Sequence, residues 1–388
     1  MHRSPPFIAV FIYIAFLLFP PVYAAGEQKE EKSGFQKLFV DTLDQSLDIS
    51  EFLRTRYGFA FIPLLITEPA IGYGAGGGLM FIHRDRSEIT RGQGIYPSVS
   101  ALGGFYTENK SWGIGGGHFG VWNEGNIRYR GGAGYVSANL EYYREPQIEH
   151  GVRQVGFNII AYGIIQELIF RIKKSNYFAG ASYGFGRTTV HFELPVNLPE
   201  ISSKDYATNI GGLGAVLYYD NRDNLFTPDK GIYAGIRYIY YDHFLGSNRK
   251  FQRLYTHFLG YLPLTKKIYA ALRLDLQTSF EDTPFYMRPF ISLRGIPALR
   301  YQGKTTCLAE TEFRWDFTYR WSLVGFTGYG LAFPKQDDWA NTLSAYNFGV
   351  GFRYLLARLY GARMGVDIAR GPEDWAFYIQ FGSSWFRY

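Results

Sequence analysis

The sequence predicts an all-β protein, a transmembrane antiparallel β-barrel of about 16 strands that follows a short N-terminal helical or disordered segment. Three observations predict this class. Aromatic residues make up 19% of the 388-residue chain, and apolar and polar residues alternate along most of it. Beyond Phe19, no uncharged apolar run approaches the roughly 20 residues that a membrane-spanning helix needs, which excludes a helical membrane bundle. Aromatic girdles and strand-like alternation are typical of transmembrane barrels.

The first residues predict export. Arg3 precedes the apolar run FIAVFIYIAFLLF (residues 7–19), which is followed by Pro-Pro and the small-residue stretch VYAAG. This order is typical of a secretory signal peptide. We therefore predict a signal peptide over residues 1–24, cleaved after Ala24, and delivery to the bacterial outer membrane. The alternative is an uncleaved anchor, but the apolar run has 13 residues, fewer than the roughly 20 of a spanning helix.

Charge and cysteine content argue against several kinds of partner. The net charge of +6 is spread along the chain, so no nucleic-acid partner is expected. The single cysteine, Cys307, cannot form an internal disulfide, and the sequence has no metal-ligand spacing. No cofactor is predicted.

Period-two alternation identifies the strands. In residues 268–279 one face carries charged and polar side chains, including Arg273 and Asp275, and the other face is aliphatic. In a barrel the aliphatic face contacts lipid and the charged face lines the lumen. Residues 309–317 repeat the pattern, with Glu310, Glu312, Arg314 and Asp316 on the polar face.

Segmentation of residues 57–388 by alternation and turn residues predicts sixteen strands. The last strand places Phe381 and Trp385 on one aromatic face as a C-terminal strand signal. A soluble sandwich or propeller is the alternative, but no blade-like repeat is present. The predicted strands are 59–68, 70–84, 95–106, 109–122, 126–143, 153–172, 176–193, 207–220, 231–242, 249–262, 267–280, 304–319, 321–333, 344–358, 362–370 and 374–386.

Residues 25–56 form the predicted N-terminal segment, which is periplasmic or lumenal. Its first part, GEQKEEKSG, is charged and predicted to be disordered. The remainder has helix-like apolar spacing from Phe35 to Leu47, which predicts a periplasmic or lumen-plugging helix. A flexible lead-in is the alternative.

The string YYDNRDNLFTPDKG (residues 218–231) predicts a tight turn between strands eight and nine. Asp and Asn side chains cap backbone groups in such turns, and Pro and Gly set the turn geometry. The turn is periplasmic if the first strand starts on that side. The residues of this motif are Asp220, Arg222, Asp223, Asn224, Pro228 and Gly231.

These motifs resemble the BamA/TamA outer-membrane assembly family, also called the bacterial surface antigen family. DNRDNLFTPDKG is similar to the family's Asp-x-Arg-Asp-Asn…Pro-x-x-Gly signature, and LRGIPALRY (residues 293–301) to its Arg-Gly loop motif. AETEFRWDF (residues 309–317) and residues 349–385 resemble the following strand and the closing hairpins. The resemblance covers residues 57–388.

The resemblance implies a sixteen-stranded barrel whose sixth extracellular loop folds back into the lumen. By motif match, Arg294 is the loop-tip arginine and Glu312 its partner on strand twelve, with Glu310 beside it. A guanidinium in a lumen needs a carboxylate partner or water, and Gly295 would let the backbone pass close to the wall. We therefore expect loop 291–303 to be locked in the lumen through Arg294. A solvent-exposed loop arginine is the alternative.

Two departures from the family limit what the resemblance implies. Members carry periplasmic globular (POTRA) domains, whereas only residues 25–56 separate the predicted cleavage site from the barrel here. The family also often places an acidic residue on strand thirteen near the loop arginine, where this sequence has Gly328. One anchor for Arg294 is therefore expected to be missing, and the resemblance does not extend to insertion of client proteins by the usual route.

No enzyme activity is predicted, because the histidines are scattered and no Gly-x-Ser-x-Gly motif is present. The predicted role is protein or lipid assembly or translocation at the outer membrane. The alternatives are a passive pore or a structural, surface-exposed barrel. Expected partners are outer-membrane lipid, lipopolysaccharide and, during biogenesis, the barrel assembly machinery; the sequence identifies no client or cargo.

Overall fold

A computed structural model describes residues 38–55, 59–83, 98–143, 154–192, 207–335 and 340–385. The predicted signal peptide and the charged stretch after it lie outside these residues. Within these ranges, no helix has the length and apolar character needed to cross a membrane.

The described residues form one sixteen-stranded antiparallel sheet, which confirms the predicted fold class. A short α-helix, α1 (Ser50–Thr55), precedes the strands and is the only α-helix in the described part of the chain. Most strand ends fall within three residues of the predicted bounds. The strands are β1 (Phe59–Glu68), β2 (Gly72–His83), β3 (Ser98–Thr107), β4 (Trp112–Trp122), β5 (Ile127–Tyr143), β6 (Gln154–Arg171), β7 (Tyr177–Phe192), β8 (Ala207–Asp220), β9 (Gly231–Tyr241), β10 (Phe251–Pro263), β11 (Ile268–Glu281), β12 (Thr305–Trp315), β13 (Trp321–Phe333), β14 (Leu343–Ala357), β15 (Ala362–Arg370) and β16 (Trp375–Phe381).

Each strand pairs with the next one along the chain, so the sheet curls into a barrel. Alternation assigns the two faces as predicted: on β11, Leu274 and Leu276 are exposed on the outer surface, whereas Arg273 and Asp275 are buried inside. An exposed apolar outer face is what a strand presents to lipid. The barrel interior is therefore polar on this wall.

The barrel is nearly closed. β1 and β16 lie next to each other, but no β-ladder joins them in the described chain. All fifteen other neighbouring pairs form β-ladders there, with a register shift between β14 and β15 at Leu355 and Ala357. An unpaired strand edge in lipid leaves backbone groups without partners. We call this β1–β16 boundary the seam.

The predicted end of the last strand is wrong. β16 stops at Phe381, because Gly382 adopts a left-handed conformation (φ +77°) that turns the chain out of the sheet. Trp385 consequently does not share the outer face of Trp375 and Phe377. Its side chain is 4% exposed and lies inside the barrel.

The predicted helix from Phe35 to Leu47 is also wrong within the described residues. Residues 38–49 form turns and an isolated bridge between Val40 and Leu47, and the helix begins only at Ser50. Leu43 is exposed, whereas Asp41 and Asp48 are buried. Carboxylates, rather than apolar side chains, attach this segment to the barrel.

Candidate functional site

The loop between β11 and β12 (residues 282–304) lies against the inner wall of the barrel. Ile291, Leu293 and Ile296 are buried and pack on inward-facing apolar side chains of β12, β13 and β14. The apolar residues of ISLRGIPALRYQG thus attach the loop to the wall. They bring Arg294 to the middle of a charged region.

Arg294 contacts carboxylates from two separate strands. Its Nε lies 3.0 Å from Glu310 Oε1, and its Nη1 lies 2.9 Å from Glu312 Oε2, both on β12. The same Nη1 lies 2.8 Å from Asp367 Oδ2 on β15. The guanidinium also stacks on the Phe326 ring at 3.4 Å. We call Arg294, Glu310, Glu312 and Asp367 the Arg294 cluster.

Asp367 supplies an acidic anchor that the sequence analysis missed. Gly328 occupies the position of the expected acid on β13, and its lack of a side chain leaves room for Asn347 and Leu293. A Cβ at this position would come within 2.7 Å of Asn347 Oδ1 and 2.9 Å of Leu293. Asn347 uses this space to donate to the Arg294 carbonyl at 3.0 Å. One signal for Asp367 was available, because it is the only acidic residue of β15.

Neighbouring arginines balance the negative charge of the carboxylates in the Arg294 cluster. Arg273 lies 2.6 Å from Asp275 and 3.3 Å from Glu310, and Arg353 lies 2.5 Å from Asp367. Buried charges are tolerated when they are paired and hydrogen-bonded in this way. The cluster is therefore part of a larger charged network on the β11–β15 wall.

Gly295 allows the loop to approach the last hairpin. Its φ is +84°, and a Cβ would come within 2.9 Å of the Gly371 nitrogen in the β15–β16 turn. The Gly295 N–H donates to the Tyr378 hydroxyl on β16 at 2.8 Å. A side chain at this position would push the loop away from the strand that borders the seam.

The residues after β16 enter the lumen and join this site. Ser384 Oγ lies 2.9 Å from Arg294 Nη1, and Trp385 Nε1 donates to Glu310 Oε2 at 2.5 Å. The Trp385 ring belongs to a hydrophobic cluster that includes buried side chains of β6 to β10, and its centroid lies 6.5 Å from that of Tyr261 on β10. The C-terminal residues therefore connect the Arg294 cluster to this hydrophobic cluster.

We predict that Trp385→Phe lowers the free energy of unfolding by about 1.5–3 kcal/mol, because it removes a hydrogen bond to a charged group. Trp375→Phe is the matched control, since Trp375 is 60% exposed on the outer face of β16. Equilibrium unfolding in urea of the chain refolded in lipid vesicles measures both. Equal effects of the two substitutions would contradict the lumenal role of Trp385.

The turn motif of residues 220–231 is connected to the same region. Asp220 accepts from Arg222 Nε at 2.9 Å and from Arg128 at 2.8 Å, and Gly231 has φ +109°. Other motif residues organise the turn: Asn224 Oδ1 accepts from two backbone N–H groups, Asp223 Oδ1 accepts from two more, and Pro228 lies near Arg353 and Glu312.

The turn also contacts the C-terminal residues. The Ser383 N–H donates to the Phe226 carbonyl at 2.6 Å, and Asp229 lies 2.5 Å from Arg314 on β12. Residues 383–385 therefore link the two motifs that the sequence analysis singled out, although these motifs lie more than 60 residues apart.

Together, the strand order, the lipid-type outer face and the internal loop define a transmembrane β-barrel of the outer-membrane class. Comparison with known proteins identifies a family domain within the chain. Residues 171–358 match the Omp85 superfamily domain. The resemblance proposed from the motifs is confirmed at this level.

Solved structures share the fold at low sequence identity. BamA from Haemophilus ducreyi lacking POTRA domains 1–3 is 15% identical, with a TM-score of 0.56 over 84% of this chain and 70% of that one. CdiB from Escherichia coli is 10% identical, with a TM-score of 0.55 over 84% of this chain and 62% of that one. This chain thus spans about two thirds of those chains. No curated protein sequence matches it.

Proposed function

We propose that this protein acts in assembly or translocation at the outer membrane of a Gram-negative bacterium, and that loop 291–303 is locked in the lumen through Arg294. The observation that carries the proposal is the position of the Arg294 cluster beside a seam that lacks a β-ladder. Arg294 joins β12 to β15 and to Ser384, and Gly295 contacts Tyr378 on β16. The loop therefore holds the strands on one side of the seam in place.

The contents of the lumen argue against the alternative of a passive pore. The loop occupies the β12–β15 side, and Trp385 joins a buried hydrophobic cluster that includes side chains of β6 to β10. Export through a signal peptide cleaved after Ala24 and contact with outer-membrane lipid and lipopolysaccharide belong to this proposal. So does insertion by the barrel assembly machinery. No catalytic role is proposed.

Cross-linking across the seam tests whether opening there is needed. Tyr73 on β2 and Phe377 on β16 stack with their ring centroids 5.5 Å apart, across β1. We predict that Tyr73→Cys with Phe377→Cys, in a Cys307→Ser background and joined by a reducible thiol cross-linker, abolishes function in cells. Function is measured as rescue of the outer-membrane composition of a deletion strain. Reduction of the linker should restore it.

The matched control joins two residues across a laddered strand. Phe348 on β14 and Trp375 on β16 have ring centroids 6.3 Å apart, with the fully paired β15 between them. The same linker between cysteines at these positions should leave function intact. Full rescue by the chain cross-linked at the seam would overturn the proposal. Steady conductance of the purified protein in planar bilayers would favour the passive pore.

A further inference from the structure

The inner wall of strands β2 to β7 carries glycines in direct lateral register. They face one another across six consecutive strands, and the row lies on the lumenal face because its β6 member is four residues before the buried, inward-facing Glu167. Two cavities, of about 560 and 610 Å³, lie along this wall. The row consists of Gly78, Gly103, Gly115, Gly134, Gly163 and Gly186.

This wall is apolar and open to the lumen. From Glu167 towards the extracellular end, the inward positions of β2 to β8 that the structure describes carry no charged side chain. Ile165 is 53% exposed and Leu64 is 42% exposed, yet both face inward. Covering such a side chain with an apolar group is favourable, because it removes apolar surface from water. The wall is therefore suited to an apolar ligand.

Close packing of neighbouring strands explains why some positions on this wall are glycine. It does not explain the empty space beside others. At Gly163 and Gly186 a Cβ would come within 2.5 and 2.8 Å of backbone oxygens on the neighbouring strand, so these glycines permit close strand approach. At Gly184, opposite Ile165, the nearest atom to a Cβ is the Ile164 oxygen at 3.7 Å. A side chain would fit there. Glycine in a strand interior often marks close approach of a ligand.

The far side of the larger cavity is positively charged. Arg237 lines it, and Arg253 on β10 lies next to the registered pair Tyr255–Arg237. Arg237 shares the carboxylate of Glu167 with Arg130. The Nε atoms of Arg237 and Arg253 are buried and have no hydrogen-bond acceptor among the described residues. Arg130 and Arg237 thus share one carboxylate, and Arg253 on the next strand adds a further positive charge, which favours an additional anion.

We infer that the lumen binds an amphiphile with an acyl chain and an anionic headgroup. The chain lies along the glycine row and the headgroup lies at Arg237 and Arg253. The row begins on β2, the neighbour of β1, and Leu64 on β1 lines the smaller cavity. The apolar wall therefore continues to the strand that borders the seam and the lipid. The site requires neither opening of the seam nor any assembly activity.

Photolabelling of the full chain in nanodiscs of phosphatidylcholine tests the inference. The probes are a diazirine fatty acid, a diazirine phosphatidylglycerol and a diazirine phosphatidylcholine, with adducts mapped to residues by mass spectrometry. Adjacent residues provide an internal standard, because Ile165 faces the lumen and Ile164 faces the surrounding lipid. The anionic probes should label Ile165 saturably, and the zwitterionic probe should label only Ile164. The two anionic probes distinguish a free fatty acid from a phospholipid.

Cavity filling supplies the matched variants. Gly184→Trp should abolish labelling of Ile165 by the anionic probes and leave labelling of Ile164 unchanged. Gly325→Trp is the control, since Gly325 lies on the lipid face of β13 between the exposed Phe313 and Val350, with no atom within 4 Å of a Cβ. It should leave both labels intact.

The experiment stays decisive if Gly184→Trp does not fold. In the native chain, unlabelled fatty acid or phosphatidylglycerol should then compete away the Ile165 adduct and leave the Ile164 adduct in place. Labelling confined to lipid-facing residues, or an Ile165 adduct that neither competition nor Gly184→Trp reduces, would overturn the inference. Either result is independent of whether cross-linking the seam abolishes function.

Discussion

Replacing Arg294 by alanine is expected to release loop 282–304 from the barrel wall and to lower the free energy of unfolding by about 3–5 kcal/mol, the range for removing one partner from a buried ion pair. The cost arises because Glu310, Glu312 and Asp367 keep their burial but lose a shared cation. Equilibrium unfolding in lipid vesicles measures the stability. Limited proteolysis measures release of the loop.

Arg300→Ala is the matched control within the same loop. Arg300 pairs with Glu373 at 3.0 Å, but both side chains are about a third exposed, and exposed pairs contribute about 0–1 kcal/mol. Arg294→Lys should be intermediate, because an ammonium keeps the charge but cannot contact carboxylates as a planar fork. If Arg294→Ala and Arg300→Ala had the same effect, the buried cluster would not hold the loop.

Replacing Arg320 by alanine is expected to detach the N-terminal segment from the barrel. Arg320 lies in the β12–β13 turn, where its Nε is 2.6 Å from Asp44 and its Nη1 is 2.6 Å from Asp48. It also contacts Asp41, which binds Arg358 Nε at 2.6 Å. Loss of the central cation should cost about 3 kcal/mol, the lower end for a buried pair. Protease sensitivity of residues 38–55 reports the detachment.

Asp44→Asn is the graded control for this second prediction. The Asp44 side chain is 27% exposed, whereas those of Asp41 and Asp48 are almost fully buried. Its substitution should therefore weaken attachment less than Arg320→Ala does. An N-terminal segment that stays protected from protease in Arg320→Ala would contradict the role of these ion pairs.

The attachment of the N-terminal segment to the barrel should also weaken as the pH falls. The hydrogen bond from Arg358 lowers the pKa of Asp41 to about 2, from an ordinary value of 3.8, and the hydrogen bond from Arg320 lowers the pKa of Asp44. Carboxylates with a lowered pKa stabilise the folded state above their unfolded pKa, and this stability is lost as the pH falls. Protection of residues 38–55 should therefore be complete above about pH 4 and lost near pH 2. Protection that persists unchanged at pH 2 would contradict this.

The sequence by itself determined the strands and their two faces. Alternation is a local property, because successive side chains in a strand point to opposite sides. For this reason the faces of β11 and β12 were predictable from residues such as Arg273 and Phe313. The Arg-Gly motif likewise pointed to Arg294 and Glu312, which lie close together in the chain and on adjacent elements.

Tertiary structure alone decided the partners that are distant in sequence. Asp367 lies 73 residues from Arg294, Trp385 lies 75 residues from Glu310, and Asp44 lies 276 residues from Arg320. Which of several inward carboxylates meets a given arginine depends on how the barrel closes and where the chain turns into the lumen. Gly382 shows most clearly what local alternation does not predict, because a single left-handed residue moves Trp385 from the predicted lipid face to the interior.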